Sequence, residues 1–550
     1  MEQNAVGETR AAGRRQAART TTVFSCMLVW FALTAPEQLS SLQPAAFARI
    51  PAEGLAGVAL ILLLPPKAVR VAAPIVGFAL GLMTVVRVLD IGSFAVVDRP
   101  FDPVLDWSSL GSGLDYLTAS MGRFAAIGAA IGAVVLAVTV FGCVTLSVRR
   151  LTRIVVRHGV VGARSVAVLA VAWVAFAVFG IQFFPGQPAA AASVASLAYG
   201  HALSLRASLL DHERFTKQLA SDPFVATPGE QLLSALRGKD VILAFVESYG
   251  RSAIEDPRIG PGIDAVLASG TSRLRAAGFA SQSAWLNSPT SGGGSWLAHS
   301  TLQSGAWVDN QQRYNTLLAS NRLTLSSAFR RAGWRTVAVL PGTNKPWPQG
   351  SFYKYDVIYT ADNLGYRGPG FSWAPMPDQY ALSAFHRSEV AAPHHAPVMA
   401  DIALVSSHAP WAPIPRLVRW DSVGDGSVFD PQPAAGKKPS DVWRDPNQVR
   451  AQYARSIEYS LNTLFSYMAT YATKDTVLIF LGDHQPARIV TADHASRDVP
   501  IAIVAHDPAV LKRIGGWGWQ NGLEPSPQAP VKQMSVFRDN FLSAFSPRMK

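Results

Sequence analysis

The chain has 550 residues and a formal net charge of +12, a length that exceeds what one hydrophobic core organises. Its two cysteines, Cys26 and Cys143, both fall in strongly apolar stretches, which excludes disulfides, a thiolate metal site and a cysteine nucleophile from the rest of the chain. Eleven basic residues sit in three short segments before residue 165, so the positive charge reads as a membrane-topology signal and not as a nucleic-acid footprint.

The first 200 residues are rich in Ala, Val, Leu, Ile and Phe. Thr22 to Pro36, Leu55 to Pro66, Val71 to Val86, Phe124 to Val148 and Ser165 to Phe184 are the apolar runs, and the last two are long enough for a bilayer core, which needs about 20 residues. About five spans are expected. Arg10, Arg14, Arg15 and Arg19 precede the first, Lys67 and Arg70 follow the second, and Arg149, Arg150, Arg153, Arg157 and Arg164 follow the fourth. The loop from Asp90 to Asp115 instead carries Asp90, Asp98, Asp102, Asp106 and Asp115 against Arg99. This alternation predicts a multi-pass plasma (inner) membrane protein with a cytoplasmic N-terminus and everything after Phe184 extracytoplasmic. The first run lacks a small-residue cleavage site and reads as a retained anchor. Arg87 and Asp90, at i, i+3 spacing near the end of a span, are placed at the interface.

Three domains follow: a transmembrane domain over 1–184, an interfacial helical connector over 185–236, and a catalytic domain over 237–550. In the last, "DVILAFVES", "RTVAVLPG", "ADIALVSSH", "DTVLIFLGDH" and "DVPIAIVAHD" are short, nearly continuous apolar runs separated by helical stretches. Such runs suit strands buried on both faces and predict an α/β domain with a mostly parallel central sheet. Val418 to Asp445, rich in Asp, Gly, Pro and Lys, reads as a long exposed loop.

Three runs end in acid, base or metal-competent residues: Glu247, His408, and the adjacent Asp483 and His484. Sites on open α/β sheets form beyond the carboxyl ends of strands, so these residues can meet although distant in sequence. Singly, a Glu after a strand is a cap or a surface charge and a loop His is ordinary. Together they form a mixed oxygen and nitrogen set suited to Mn²⁺, Zn²⁺ or Mg²⁺. Three glycines, Gly292 to Gly294, precede Ser295, which opens a helix-compatible run. The plain reading of Ser295 is a helix N-cap; the family resemblance given next implies a nucleophile there, with Thr290 and Ser291 ranked below it. His299 lies one turn on and reads as packed or solvated; under the resemblance given next, an approach to the phosphate or leaving group is the alternative. His494 and His506 flank the last strand as weaker candidates.

"FVES", "GGGSWLAHSTLQSG", "SSHAPW" and "FLGDHQPA", in this order, resemble the alkaline phosphatase superfamily, in its sulfatase-like branch that includes lipoteichoic acid synthase and membrane phosphoglycerol transferases. The resemblance covers residues 238 to 510 and implies one divalent metal, Mn²⁺ first with Zn²⁺ or Mg²⁺ as alternatives, held by Glu247, Ser295, Asp483 and His484. It implies that Ser295 is the nucleophile and that His408 binds the transferred group. The family's phosphate-holding Trp and Arg lack a clean match; "GTNKPWPQGSFYKYD" offers Asn344, Lys345, Trp347 and Lys354, of which Trp347 is the substrate-binding candidate.

The expected function is transfer of a phosphoglycerol-type group from a lipid donor such as phosphatidylglycerol to an envelope glycan or glycolipid acceptor, without nucleic acid. Alternatives are a phosphodiesterase, a sulfatase-type hydrolase, a phosphoethanolamine transferase, and an inactive membrane scaffold. Ser295 is followed by Trp296 and Leu297, without the small residue and Arg that formylglycine formation needs, which disfavours sulfate esters.

Overall fold

The computed structural model describes residues 2–37, 41–97, 99–102, 106, 111, 114, 117–118, 122–344, 346–392, 394–491 and 495–547. They fall into two compact units, Met1–Trp107 with Gly122–Leu209, and Ser108–Met121 with Leu210–Lys550. Asp98, Asp115, Lys345 and His494 lie outside the described residues.

The first unit is built of α1 (Glu2–Thr34), α2 (Ala52–Leu63), α3 (Pro66–Val97), α4 (Arg123–Arg157), α5 (Gly159–Val178) and the first part of α6 (Ser193–Ala220). Among the described residues four helical segments are long and apolar enough to cross a membrane: Gly13–Thr34, Pro66–Phe94, Arg123–Arg157 and Gly159–Val178. The expected second span is α2, whose 12 residues rise only about 18 Å against a hydrocarbon core of about 30 Å. Pro51 precedes α2 and Pro65 and Pro66 follow it, so prolines bound the helix at both ends.

Small residues let α3 and α4 approach closely. A Cβ on Gly77 would stand 3.0 Å from Thr145 Cα, and one on Gly81 3.1 Å from the Phe141 carbonyl oxygen. The rising number on one helix against the falling number on the other makes the pair antiparallel. Arg150 of α4 donates to the Ala18 carbonyl at 2.6 Å and to Thr22 Oγ1 at 3.0 Å. The N-terminal half of α1, the start of α3 and the end of α4 thus share one basic end. Ile50–Pro51 pairs with Ala190–Ala191, and Leu62 lies against Gly159 and Gly162. The short α2 therefore runs back along α5 toward that basic end.

The second unit holds a mixed nine-stranded sheet. Its strands are β1 (Asp240–Val246), β2 (Ala280–Asn287), β3 (Arg335–Leu340), β4 (Val357–Thr360), β5 (Val398–Leu404), β6 (Thr476–Gly482), β7 (Asp498–Ala505), β8 (Gln520–Asn521) and β9 (Val531–Gln533), in the order β8, β2, β7, β6, β1, β5, β3, β4, with β9 also on β2. The run β6, β1, β5, β3, β4 is parallel. β7 is antiparallel to both β6 and β2. Its sequence gave no sign of this, because a strand covered on both faces is apolar throughout whichever way it points.

Alternate residues of β1 feed two cores. Ile242, Ala244 and Val246 join Ile263 and Leu267 of α7 (Gly260–Ala276) and Tyr453 and Leu461 of α12 (Pro446–Tyr471). Val241, Leu243 and Phe245 join Ala298 and Leu302 of α8 (Ser295–Ser304), Phe329 of α10 (Leu325–Arg331) and Phe541 of α13 (Phe537–Phe545). Helices α9 (Gln311–Leu318) and α11 (Asp378–Phe385) complete the elements used below. Local signals fix the ends: Asp445 caps α12 by accepting from the Asn447 N–H with Pro446 in the first turn, and Thr324 and Ser327 form a capping box on α10.

Val418 to Asp445, expected as an exposed loop, is instead a chain of short helical turns that bury Val423, Phe429 and Val442. Its polar composition hid three anchoring apolar residues. The Gln379 side chain of α11 holds it further, donating to the Val418 carbonyl at 2.7 Å and accepting from its N–H at 3.0 Å.

Candidate active site

Register brings the site together. Gly482 of β6 pairs with Val246 of β1, and Val246 with Leu404 of β5, so the three strands end level and side by side. The next residues are Asp483, Glu247 and the loop leading to His408. Glu247, Asp483 and His484 are buried, and one ligand atom from each lies within 4.8 Å of the others. His484 Nε2 stands 3.3 Å from Glu247 Oε1 and 3.5 Å from Asp483 Oδ2.

Ser295 completes the cluster. Its hydroxyl donates to Glu247 Oε2 at 2.9 Å and lies 3.2 Å from His484 Nε2. The helix N-cap is Gly294, not Ser295, so the serine side chain is spent on the cluster and not on capping. Gly292 and Gly294, at φ 76° and 80°, take left-handed backbone that residues with a Cβ rarely adopt, which lets the loop turn tightly into α8. The loop is pinned: the Gly292 N–H donates to the Gln485 carbonyl at 2.8 Å, and Ser288 Oγ to the Asp483 carbonyl at 2.6 Å. Thr290 Oγ1 donates to the Gly293 carbonyl, so that hydroxyl serves the loop.

The residues of the cluster are oriented from behind. His484 Nδ1 lies 2.8 Å from the Gln485 carbonyl, which fixes the proton there and turns Nε2 toward the carboxylates. Ser248 donates its N–H to Asp483 Oδ1 at 2.7 Å and its hydroxyl to Glu247 Oε1 at 2.9 Å. It does so from a left-handed backbone, φ 58°, held by Tyr453 of α12, whose hydroxyl donates to the Ser248 carbonyl at 2.8 Å. Ser407 Oγ donates to the Glu247 carbonyl at 2.7 Å. Sequence reasoning passed over Ser248, Tyr453 and Ser407, although Ser248 and Ser407 stand inside the quoted "FVES" and "SSHAPW". Gly482 is obligatory, since a Cβ there would lie 1.7 Å from the Tyr249 carbonyl oxygen.

Electrostatics test whether a cation fits. Burial pushes the Asp483 carboxyl up, with the charge of Glu247 adding to it, to about 7. Burial alone would depress His484, but Asp483 and Glu247 outweigh it and lift the imidazole to about 9. Two carboxylates so close hold a proton on the imidazole between them as counter-charge. Asp483 Oδ2 has no hydrogen-bond partner among the described residues. An orphaned carboxylate oxygen, a second carboxylate and an imidazole with its lone pair turned inward suit a divalent cation in place of those protons.

His408 stacks on Trp373, ring centroids 3.5 Å apart and 10° from parallel, and its Nδ1 lies 2.6 Å from the Ala409 carbonyl. Burial depresses its imidazole, although the Glu247 charge acts in the opposite sense. The loop before it is anchored by Asp378 of α11. Asp378 Oδ1 accepts from the Ser406 N–H at 2.9 Å, its Oδ2 accepts from Ser460 Oγ at 2.6 Å, and its own N–H donates to Ser406 Oγ at 2.9 Å.

The other described candidates form no hydrogen bond with the cluster. His299 lies against Phe245, ring centroids 3.7 Å apart, and burial lowers it to about 4, so it is a neutral packed residue. His506 follows the antiparallel β7 and so falls at the opposite end of the sheet, edge-on to Phe279. Trp347 stacks on Tyr353, whose hydroxyl meets Ser300 Oγ of α8 at 2.8 Å. It thus lines the wall behind the serine helix.

The Sulfatase family model matches residues 269–502, a range that contains Ser295, His408, Asp483 and His484. Those residues are sulfatase-like. Sulfatase-family proteins bind a divalent metal, and the buried Glu247, Asp483 and His484 cluster is present in this one. The chain thus carries a sulfatase-like enzyme domain. Solved structures similar to the chain include the lipoteichoic acid synthase LtaP from Listeria monocytogenes, at 14% identity over 60% of this chain and 80% of that one, with a TM-score of 0.36. The phosphoglycerol transferase GacH from Streptococcus pyogenes, in complex with sn-glycerol-1-phosphate, aligns at 12% identity over 61% and 90%, TM-score 0.35. The C-terminal periplasmic domain of the phosphoethanolamine transferase EptC from Campylobacter jejuni aligns at 11% identity over 56% and 89%, TM-score 0.34. No curated protein matches the chain.

Proposed function

We propose that the sulfatase-like domain transfers a phosphoglycerol-type group from a membrane lipid to an envelope glycan or glycolipid hydroxyl through a covalent Ser295 intermediate. The observation that carries this reading is the Ser295 hydroxyl between Glu247 Oε2 and His484 Nε2 at the start of α8. A serine hydroxyl hydrogen-bonded to a carboxylate beside an imidazole is an activated nucleophile, and the first turn of a helix favours an anionic phosphoryl group in front of it.

Glu247, Asp483, His484 and Ser295 would hold the cation, Mn²⁺, Zn²⁺ or Mg²⁺. When bound, it supplies Lewis-acid polarisation of the phosphoryl oxygen and lowers the pKa of the neighbouring hydroxyl. In the first half-reaction Ser295 Oγ gives up its proton and bonds to phosphorus, and the bond from phosphorus to the diacylglycerol oxygen breaks. The leaving oxygen takes a proton. In the second, an acceptor hydroxyl attacks, loses its proton and frees Ser295. His408, held flat on Trp373, contacts the non-bridging oxygens, and Trp347 contributes to the wall behind the helix.

The membrane segments support a lipid donor, and the gathering of basic residues at one end of the first unit supports a cytoplasmic N-terminus. With α2 running back along α5, the chain then leaves the unit at the opposite, extracytoplasmic face. Trp296 and Leu297 after Ser295 speak against formylglycine and hence against sulfate esters. The test is release of diacylglycerol from fluorescent phosphatidylglycerol by the purified full chain with Mn²⁺. Wild type is expected to release it and Ser295→Ala to lose at least a thousandfold of the rate. Equal rates would refute the reading.

A further inference from the structure

The first unit contains a buried charge with no direct ion pair among the described residues. Arg87 of α3 is 2% exposed, and only its Nη1 has a partner, the Ala32 carbonyl of α1 at 2.7 Å. Its Nε and Nη2, the edge of the guanidinium that grips two oxygens at once, have no hydrogen-bond partner among the described residues. Glu37, Glu53 and Asp90 act on Arg87 through space, yet none of them forms an ion pair with it among the described residues. Asp90 is otherwise engaged: it accepts from the Phe101 N–H at 2.8 Å and pairs with His201 of α6 at 3.0 Å. Glu53, in the first turn of α2, accepts from the Ala195 N–H with Oε1 at 2.8 Å, while its Oε2 is buried without a partner.

Orphaned groups of opposite sign in one cluster call for a ligand that carries both an anion and hydrogen-bond donors. Removing a guanidinium from water without hydrogen-bond partners is unfavourable, so the unpartnered edge of Arg87 is not a neutral feature. The depth fits a lipid. Arg87 lies 20 residues beyond Lys67 along α3, a rise of about 30 Å from the basic end, which is the thickness of the hydrocarbon core. That is the level of the headgroups of the far leaflet.

We infer that the Arg87, Glu53 and Glu37 cluster is a headgroup site for a glycerophospholipid, with the phosphate on the Arg87 fork and the headgroup's hydroxyl or ammonium donors on the carboxylates. Phosphatidylglycerol and phosphatidylethanolamine share this chemistry, whereas phosphatidylcholine has no donor to give. The choice of a phospholipid rests on the proposed lipid donor, but binding is read without turnover, so the site and the Ser295 chemistry fail separately.

The test is native mass spectrometry of the full chain in detergent, titrated in turn with each of the three lipids, with inorganic phosphate as a soluble anion control. Wild type is expected to retain one phosphatidylglycerol or phosphatidylethanolamine at least tenfold more tightly than phosphatidylcholine. Arg87→Lys, which keeps the charge and loses the fork, is expected to abolish that preference, and Glu53→Gln, a milder change, to reduce it several-fold. Gly515→Ala, where no atom lies within 4 Å of the new carbon, is expected to leave it unchanged. Equal retention of all three lipids by wild type, or an unaltered preference in both cluster variants, would overturn the site, as would inorganic phosphate displacing nothing while water alone fills the fork in a high-resolution structure.

Discussion

Asp378 is the most quantitative handle on the loop that carries His408. Its carboxyl is fully buried, and burial pushes it up from 3.8 to about 6 despite the bonds from Ser460 and Ser406. An acid whose folded pKa is raised binds its proton more tightly when folded, so it adds stability at low pH that is lost as pH rises from about 4 through about 6. The difference of about 2 units corresponds to about 3 kcal/mol at about 1.4 kcal/mol per unit. Asp378→Asn keeps the shape, and Oδ1 still accepts from the Ser406 N–H. Ser460 Oγ can accept from the new amide, so the variant is expected to lose about 1 kcal/mol near pH 4. Above pH 7 it is expected to match or exceed wild type, because no charge is then buried. The assay is chemical denaturation of the detergent-solubilised full chain from pH 4 to 8, followed by tryptophan fluorescence. The difference between wild type and variant isolates Asp378 from Asp401, a second buried carboxyl raised to about 6 by burial. A difference that stays constant with pH would refute the reasoning.

Asp483→Asn and Glu247→Gln are each expected to weaken Mn²⁺ binding at least tenfold by calorimetry, with metal-induced thermal stabilisation lost; unchanged affinity would remove them from the metal centre. Gly482→Ala drives a Cβ into the Tyr249 carbonyl oxygen and is expected to prevent accumulation of folded protein, whereas Gly515→Ala, where no atom lies within 4 Å of the new carbon, serves as the neutral control. Single cysteines at Arg15 and Arg70, in a background lacking Cys26 and Cys143, are expected to be labelled from the same face of sealed vesicles, because α1 and α2 both lie between them; labelling from opposite faces would give α2 no crossing role.

The candidate site was legible because its residues sit at the ends of apolar runs, where burial stops and chemistry begins. Glu247, Ser295, Asp483 and His484 needed only strand order to meet, and parallel register at Gly482, Val246 and Leu404 supplies it. The support around them was not legible. Ser248, Tyr453 and Asp378 act through hydrogen bonds across the fold, and a hydroxyl or carboxyl carries no sequence mark of such a partner. The antiparallel direction of β7, which puts His506 at the end of the sheet away from the cluster, was not legible either, because direction leaves no trace in a doubly covered strand. In the membrane unit, hydropathy found every apolar run, but the length of α2 was set by prolines at its edges and by pairing of Ile50–Pro51 with Ala190–Ala191, which no window average sees.

The central claim is that Ser295 becomes covalently loaded. The most direct measurement is rapid acid quench of the full chain with Mn²⁺ and phosphatidylglycerol, followed by mass analysis of the peptide containing Ser295. A mass increase equal to one phosphoglycerol on that serine, chased away by adding an acceptor glycan and absent in Ser295→Ala, is the predicted result. Diacylglycerol release with no adduct on the peptide, or an adduct that persists in Ser295→Ala, would contradict it.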